Sequence, residues 1–404
     1  MAPRAITAKA LQALLTRIGS AAFGTKDVLQ ARFARDVTRQ HIPTLSSAKS
    51  RSALDSHAQK CRIISIDMGI KNLAFCDVEV DYLKGDTMQP RMNIIRWDKL
   101  DLVDATKKSR QQQPDSPSSK ETRKEADEEM DPYSLSVLSQ TAHSFLRKSI
   151  LAVSPDIILI ERQRWRSASS AAIQQWTVRV NTLEAMLWAI LSALNVEQSK
   201  NSTGTTGVTA TNQYEVFGVD PKRVGQYWLV RHARAVAERQ AETTAPEVAE
   251  LFTVTGEQKK KREPRSKAEK KAKIAILRSW LTAEPASTAP STPSSAPVIS
   301  ITVGPDGTNA LQALTLPAPR KSRKKATNCG DANVTIDKIR EVGIKDFSKL
   351  DDIADSCLQV AAWVAWESNR RQLYQIWEQE KGKDGKMSEL DDDVLKEMIE
   401  VAKV

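Results

Sequence analysis

Apolar positions in this chain fall into blocks, and most blocks have a readable period. Leu11, Leu14, Leu15 and Ile18 recur at i, i+3, i+4 and i+7, which predicts one face of a short helix. Gly19 ends it, and Phe23-Gly24-Thr25-Lys26 restarts the chain into a second helix containing Leu29 and Phe33. From residue 62, the run Ile63 to Ile66, a turn around Gly69, Lys71 and Asn72, and a return to apolar residues predict a β-hairpin with Asp67 inside its first strand. Pro155 and Asp156 open a later strand whose buried body is Ile157 to Ile160, with Glu161 at its C-terminal end. Ile173, Trp176, Val180, Leu183, Leu187 and Ile190 line one face of a helix, which Met186 and Trp188 broaden. Residues 214–228 read as strand, turn and helix, with Asp220-Pro221 at the turn and Lys222 and Arg223 at the helix start. A final helix over 348–366 is marked by Ile353, Leu358, Ala361 and Val364.

Between these blocks the pattern lapses. Residues 105–131 and 197–213 carry too few large apolar side chains to offset the entropy of ordering them. Residues 240–272 are charge-rich with partial helical character, and 283–330 form a Pro/Ser/Thr/Ala tract ending in a basic run. The expected organisation is therefore a small helical unit over 1–45, a core over 60–380 interrupted by disordered or basic insertions at 105–131, 197–213 and 240–330, and a helical tail over 381–404. No internal repeat is visible.

Composition narrows the partners. The 404 residues hold 60 Lys and Arg against 50 Asp and Glu, a net charge of +10, which favours a polyanion, nucleic acid before membrane. No run of apolar residues is long enough to span a bilayer. The 4 cysteines show no Cys-x-x-Cys spacing, so neither a zinc site nor a disulfide framework is indicated, and a reducing compartment fits. The first 26 residues carry Arg4, Lys9, Arg17 and Lys26 and no acid, a pattern shared by mitochondrial leaders and by nucleic-acid-binding helices.

The acids carry the chemistry. An ionised carboxylate in an apolar strand is costly unless something compensates it, so Asp67 calls for a partner. Glu161 stands at a strand end, where open α/β sheets place their chemistry, and is followed by Arg162, Gln163, Arg164, Trp165 and Arg166, a group suited to phosphates and to stacking on a base. On the last helix Asp352 and Asp355 lie at i, i+3 and Asp351 and Asp355 at i, i+4, so either pair can converge. Ser348 and Asp351 also fit a capping spacing, which leaves Asp355 the hardest to explain structurally. Such a set supplies hard oxygen ligands without a His or Cys cage, the chemistry of magnesium. Two ions held this way clamp the attacking and leaving oxygens of a phosphodiester displacement.

The segments SIDMGIKNLA, ILIERQRWR and DDIADS, in that order, resemble the ribonuclease H-like nucleases, and within them the RuvC-like fungal mitochondrial Holliday junction resolvases. The N-terminal pair of helices resembles a SAP module, which binds duplex nucleic acid. The resemblance implies a mixed sheet flanked by helices, and a homodimer that nicks four-way DNA junctions symmetrically in the mitochondrial matrix. It implies Asp67 and Glu161 as metal ligands with Asp355 and either Asp351 or Asp352, two Mg2+ ions per site with Mn2+ as the alternative, and Lys71 or the arginine cluster positioning the scissile phosphate. Lys26, Arg32, Arg17, Arg35, Lys222 and Arg223 are the further candidates for DNA contact, and the helix after Glu161 for the dimer interface. Two rivals stand: a non-catalytic junction or duplex binder, and an actin-like ATPase, which would need a second Gly-rich phosphate loop that is not seen.

Overall fold

The computed structural model describes residues 6–39, 41, 60–82, 90–105, 131–163, 175–202, 214–243, 265–282, 299–315, 350–384 and 392–401. In chain order the helices are α1 (Ala8–Arg17), α2 (Lys26–Val37), α3 (Leu135–Phe145), α4 (Gln175–Ser202), α5 (Pro221–Thr243), α6 (Arg265–Thr282), α7 (Thr308–Thr315), α8 (Leu350–Asp384) and α9 (Asp392–Val401). The strands are β1 (Cys61–Asp67), β2 (Leu73–Tyr82), β3 (Pro90–Leu100), β4 (Ile157–Glu161), β5 (Glu215–Val219) and β6 (Ser300–Val303).

The strands form a mixed sheet in the order β5-β4-β1-β2-β3-β6. β1, β2 and β3 are an antiparallel meander, while β4 pairs parallel with β1 and β5 parallel with β4. β1 and β4 are apolar almost throughout because helices cover both faces of the sheet. Ile63, Cys76, Val78, Ile94, Trp97 and Leu159 pack on one face against α5, α6, α7 and α8. Ile64, Ile66, Phe75, Ile158 and Ile160 pack on the other against α3 and α4. At about 25 cal/mol per Å2 of apolar surface, these two layers supply most of the driving force for folding.

The turn between β1 and β2 has a steric requirement. A Cβ at Gly69 would sit 2.8 Å from the backbone oxygen of Asn72, so the chain reverses there only without a side chain.

The N-terminal helices form a third apolar cluster with the far half of α8 and with α9: Leu11, Leu14, Leu15, Leu29 and Phe33 meet Leu373, Ile376, Trp377 and Leu395. Gly19, at φ +72°, closes α1 against the Trp366 ring. The carbonyls that end α1 are satisfied from the core: Asn369 Nδ2 donates to Arg17 O (2.9 Å), Arg370 donates to Ile18 O (2.9 Å) and Arg223 to Gly19 O (3.1 Å). The helical pair is thus fixed to the sheet-bearing body through α8 and α5.

Several expectations need correction. Asp67 is not inside a strand but ends β1. The stretch 240–330 is not wholly an insertion: within it, α6 and α7 bury Ile276, Leu277, Ala310 and Leu314, and β6 pairs with β3 at the sheet edge. Residues 197–202, placed in an insertion, continue α4. The pattern of 265–282 is helical but interrupted by so many lysines that its apolar face is easily missed.

Candidate active site

Parallel pairing sets the first half of the site. Ile66 of β1 lies opposite Ile160 of β4, so the next residues, Asp67 and Glu161, leave adjacent strands side by side. Neighbouring strands run about 4.8 Å apart, so these side chains are brought together by the register alone. Glu161 bears on Asp67 both through its charge and as a side-chain hydrogen-bond partner. Burial first, then the Glu161 charge and that hydrogen bond, and then Asp355 and Asp352, push the Asp67 carboxyl well above the usual carboxylate range. Glu161 is held in turn: its Oε2 accepts from the Met68 N–H (3.3 Å) and from Gln163 Nε2 (3.1 Å).

The second half comes from the first turns of α8. Asp352 and Asp355 are the acids of this helix whose charges bear on Asp67, while Asp351 bears on Asp355. Burial raises the Asp355 carboxyl against the opposing pull of Lys273, whose Nζ is 2.8 Å from Asp355 Oδ1. Asp351 pairs with Lys270. Ser348, its expected capping partner, lies outside the described residues.

Two groups of residues escaped the sequence reading. Lys270 and Lys273 belong to the stretch read as a basic insertion; their i, i+3 spacing on a helix with Ile274, Ile276 and Leu277 was the available signal. Glu184 of α4 accepts the Gln163 N–H (2.9 Å), so it fixes the segment following Glu161. Burial raises its carboxyl, with hydrogen bonds from Gln163 and Trp188 and the Arg162 charge opposing. An acid beside Leu183 on a buried helix face was the clue.

The cations divide. Arg162 is exposed just beyond Glu161, donates its N–H to Val219 O (2.9 Å) and lies against Gly218. Arg223, at the start of α5, feels the charges of Arg162 and Arg32, so these three mark a basic path from Glu161 to the N-terminal helices. Arg32 itself braces that pair, donating to Ala21 O (2.6 Å) and Phe23 O (2.7 Å) beneath the exposed Phe23 ring. Lys71 is exposed on the β1–β2 turn, Lys222 is exposed at the start of α5, and Lys26 opens α2. Arg17 is a correction: it is directed into the packing with Gln372, and burial lowers its pKa. Arg35 pairs with Asp36 at the surface. Arg164, Trp165, Arg166 and Ile173 lie outside the described residues. The α4 face is largely consumed by the core, with Val180, Leu183, Leu187 and Leu191 buried; Trp176 and Val178 are left exposed at its start.

The donor set is all carboxylate oxygen, with Asp67 buried and Glu161, Asp352 and Asp355 half-buried, and its chemistry fits a hard divalent cation. Among the described residues, no group of three or more His, Cys, Asp or Glu is drawn together closely enough to hold a metal ion. Asp351 and Asp355 of α8 are engaged by Lys270 and Lys273.

A β1–β2–β3 meander with parallel β4 and β5 beside β1, and acids at the ends of β1 and β4 facing a C-terminal helix, define a ribonuclease H-like α/β domain. The chain belongs to the family described as mitochondrial resolvase Ydc2 / RNA splicing MRS1, whose catalytic-domain model matches residues 63–373. It is 29% identical over 168 residues to "Cruciform cutting endonuclease 1, mitochondrial" of Schizosaccharomyces pombe, covering 41% of this chain and 52% of that protein. The Saccharomyces cerevisiae protein of the same name is 26% identical over 171 residues, 42% of this chain and 41% of that one. The chain thus spans about half the length of the curated relatives it matches. Among solved structures, the yeast mitochondrial Holliday junction resolvase Ydc2 aligns at 17% identity and a TM-score of 0.44, over 93% of this chain and 99% of that one. Thermus thermophilus RuvC in complex with Holliday junction substrate aligns at 13% identity and a TM-score of 0.23, over 56% and 99%. Family membership displaces the ATPase reading.

Proposed function

We propose that this protein is a structure-selective endodeoxyribonuclease that resolves four-way DNA junctions by metal-dependent hydrolysis. What supports the reading is the register that sets Asp67 and Glu161 side by side at adjacent strand ends, with the charges of Asp352 and Asp355 on α8 bearing on Asp67. A buried Asp67 beside the half-buried Glu161, with the charges of further acids bearing on it, makes poor architecture and suits a divalent cation. Asp67, Glu161, Asp352 and Asp355 would hold two Mg2+ ions, or Mn2+ in their place; such ions, when bound, supply water activation and stabilisation of the departing 3′ oxygen. Asp351, paired with Lys270, is the less suited member of the C-terminal set.

The chain's own cations do the positioning. Lys71 and Arg162 stand exposed beside the acids and take the phosphates next to the scissile bond. The path through Arg223 to Arg32 and Lys26 extends that grip to the SAP-like helical pair, which contacts duplex backbone without reading sequence. Symmetric cleavage needs two copies, and the exposed Leu135, Trp176 and Val178 supply an apolar patch for the homodimer. The relatives' names support mitochondrial residence, with the matrix as the site of action.

The family description also includes an RNA-splicing protein, so a nucleic-acid binder without cleavage is the reading to defeat. The test is Mg2+-dependent nicking of a synthetic four-way junction beside a linear duplex of the same sequence, with Asp67→Asn as control. Paired nicks in the junction that vanish in the variant support the proposal. Binding without cleavage by the wild type would establish the binder, and equal cleavage of both DNAs a generic nuclease.

A further inference from the structure

We infer that Lys273, seconded by Lys270 on the neighbouring Asp351, is the resident counter-cation of Asp355, so that a divalent ion coordinating Asp355 enters by displacing Lys273 and helix α6 sets the metal affinity. The inference rests on the metal-site reading above and deepens it.

The argument starts from how α6 is held. Ile276 and Leu277 are buried in the core cluster shared with α5 and α8, so the helix is a fixed part of the body. Its residues 270 and 273 are neighbours on one helical face, and that face meets the first turns of α8. Lys273 Nζ lies 2.8 Å from Asp355 Oδ1, and Lys270 pairs with Asp351. Asp67 is surrounded differently: among the described residues, the charged groups bearing on it most strongly are Glu161, Asp355 and Asp352. Two acids at the α8 end of the set are thus paired with lysines, and among the described residues no group of three or more His, Cys, Asp or Glu is drawn together closely enough to hold a metal ion.

An ammonium and a divalent ion cannot share one carboxylate oxygen at short range, because their repulsion at a few ångströms exceeds thermal energy several-fold even at an effective dielectric near that of a protein surface. Burial ranks the two lysines. The Lys273 side chain is 18% exposed and its pair is partly withdrawn from water, whereas Lys270 is 60% exposed and its pair is heavily screened. Lys273 therefore carries most of the effect.

The test is Mn2+ titration of the full chain without DNA, followed by electron paramagnetic resonance of the free ion, with thermal unfolding in parallel. Lys273→Met should bind Mn2+ about tenfold more tightly than wild type, and Lys270→Met no more than about threefold. Lys273→Arg, which keeps the charge, should bind like wild type. Metal-free Lys273→Met should melt below wild type and be restored by saturating Mn2+. Should that variant fail to fold, Lys273→Gln carries the test, since it keeps a donor without the charge and must also tighten binding. Unchanged or weaker Mn2+ affinity in a folded, charge-deleted variant overturns the inference and leaves the metal site standing. Failure of wild type itself to bind Mn2+ removes both.

Discussion

Two acids of the β1–β2 hairpin are both buried and are oppositely treated. Asp77, in the middle of β2, is 0% exposed and is gripped by two arginines: Arg62 through Nε (3.0 Å) and a second nitrogen (2.8 Å), and Arg96 through Nε (2.8 Å). Arg96 passes the connection on to Ser149 O (2.9 Å), tying the hairpin to the segment after α3. Asp67, at the end of β1, is 9% exposed and faces Glu161, Asp352 and Asp355. Burial alone does not distinguish a structural acid from a functional one. The sign of what surrounds it does: a carboxylate met by arginines is complete, and one met by carboxylates awaits a cation.

The sharpest way to break this contrast is to neutralise each acid in turn. Asp67→Asn should reduce junction cleavage about a thousandfold, the equivalent of several kcal/mol of lost charge stabilisation. Its metal-free stability should hold or rise, because a repelling charge is removed. Asp77→Asn should do the reverse. It strands two partly buried guanidinium groups and should lower stability by about 3 kcal/mol in urea unfolding, with the folded fraction retaining its cleavage rate. If the two variants instead lose stability alike, the acids at the two positions are both architectural and the metal-site reading fails.

A smaller effect separates the two ends by pH. Burial and the Glu161 charge hold the Asp67 proton more tightly in the folded protein than in the unfolded chain. This site therefore stabilises the metal-free fold below the unfolded carboxylate pKa of about 4 and loses that contribution as pH rises through the raised folded value. Metal-free wild type should lose stability between acidic and neutral pH relative to Asp67→Asn. Added Mg2+ should recover the loss at neutral pH and do little at acid pH. A parallel pair of stability–pH curves for the two proteins would contradict it.

The legibility of these features in the sequence follows from how local each one is. The hairpin, the strand ending in Glu161 and the Asp-rich helix announce themselves through period and punctuation, and the parallel register that joins Asp67 to Glu161 follows once the strands are right. The strand β3 was missed because it follows a stretch with few strand signals, although its Trp97 is buried and bonded to Ile353 O (3.0 Å). The edge strand β6 is short and half-exposed, so its pattern carries little information. Helix α6 was misjudged because its lysines dominate the composition, and a lysine that pairs with a distant acid looks the same in sequence as one that faces water. Arg17 shows the converse error: a basic residue on a basic helix reads as a DNA contact, yet it is spent on packing against α8.

The subtlest arm of the comparison concerns how Glu161 is kept in place. The structural acid needs only its arginines, but a metal-binding acid must hold its geometry without a fixed cation. Gln163 Nε2 reaches Glu161 Oε2 (3.1 Å), and the Gln163 N–H is anchored on Glu184 Oε2 (2.9 Å), so α4 steadies Glu161 through one intermediary. Outer partners of this kind typically contribute about 10–100-fold to metal affinity or activity. Glu184→Ala should therefore reduce Mn2+ affinity and cleavage together by roughly tenfold, at the low end because the contact is indirect. Glu184→Gln retains an oxygen that accepts the Gln163 N–H and should stay near wild type in both. If Gln and Ala variants fall equally, the charge of Glu184 rather than its role as acceptor is what matters, and it belongs with the acids of the site instead of their scaffold.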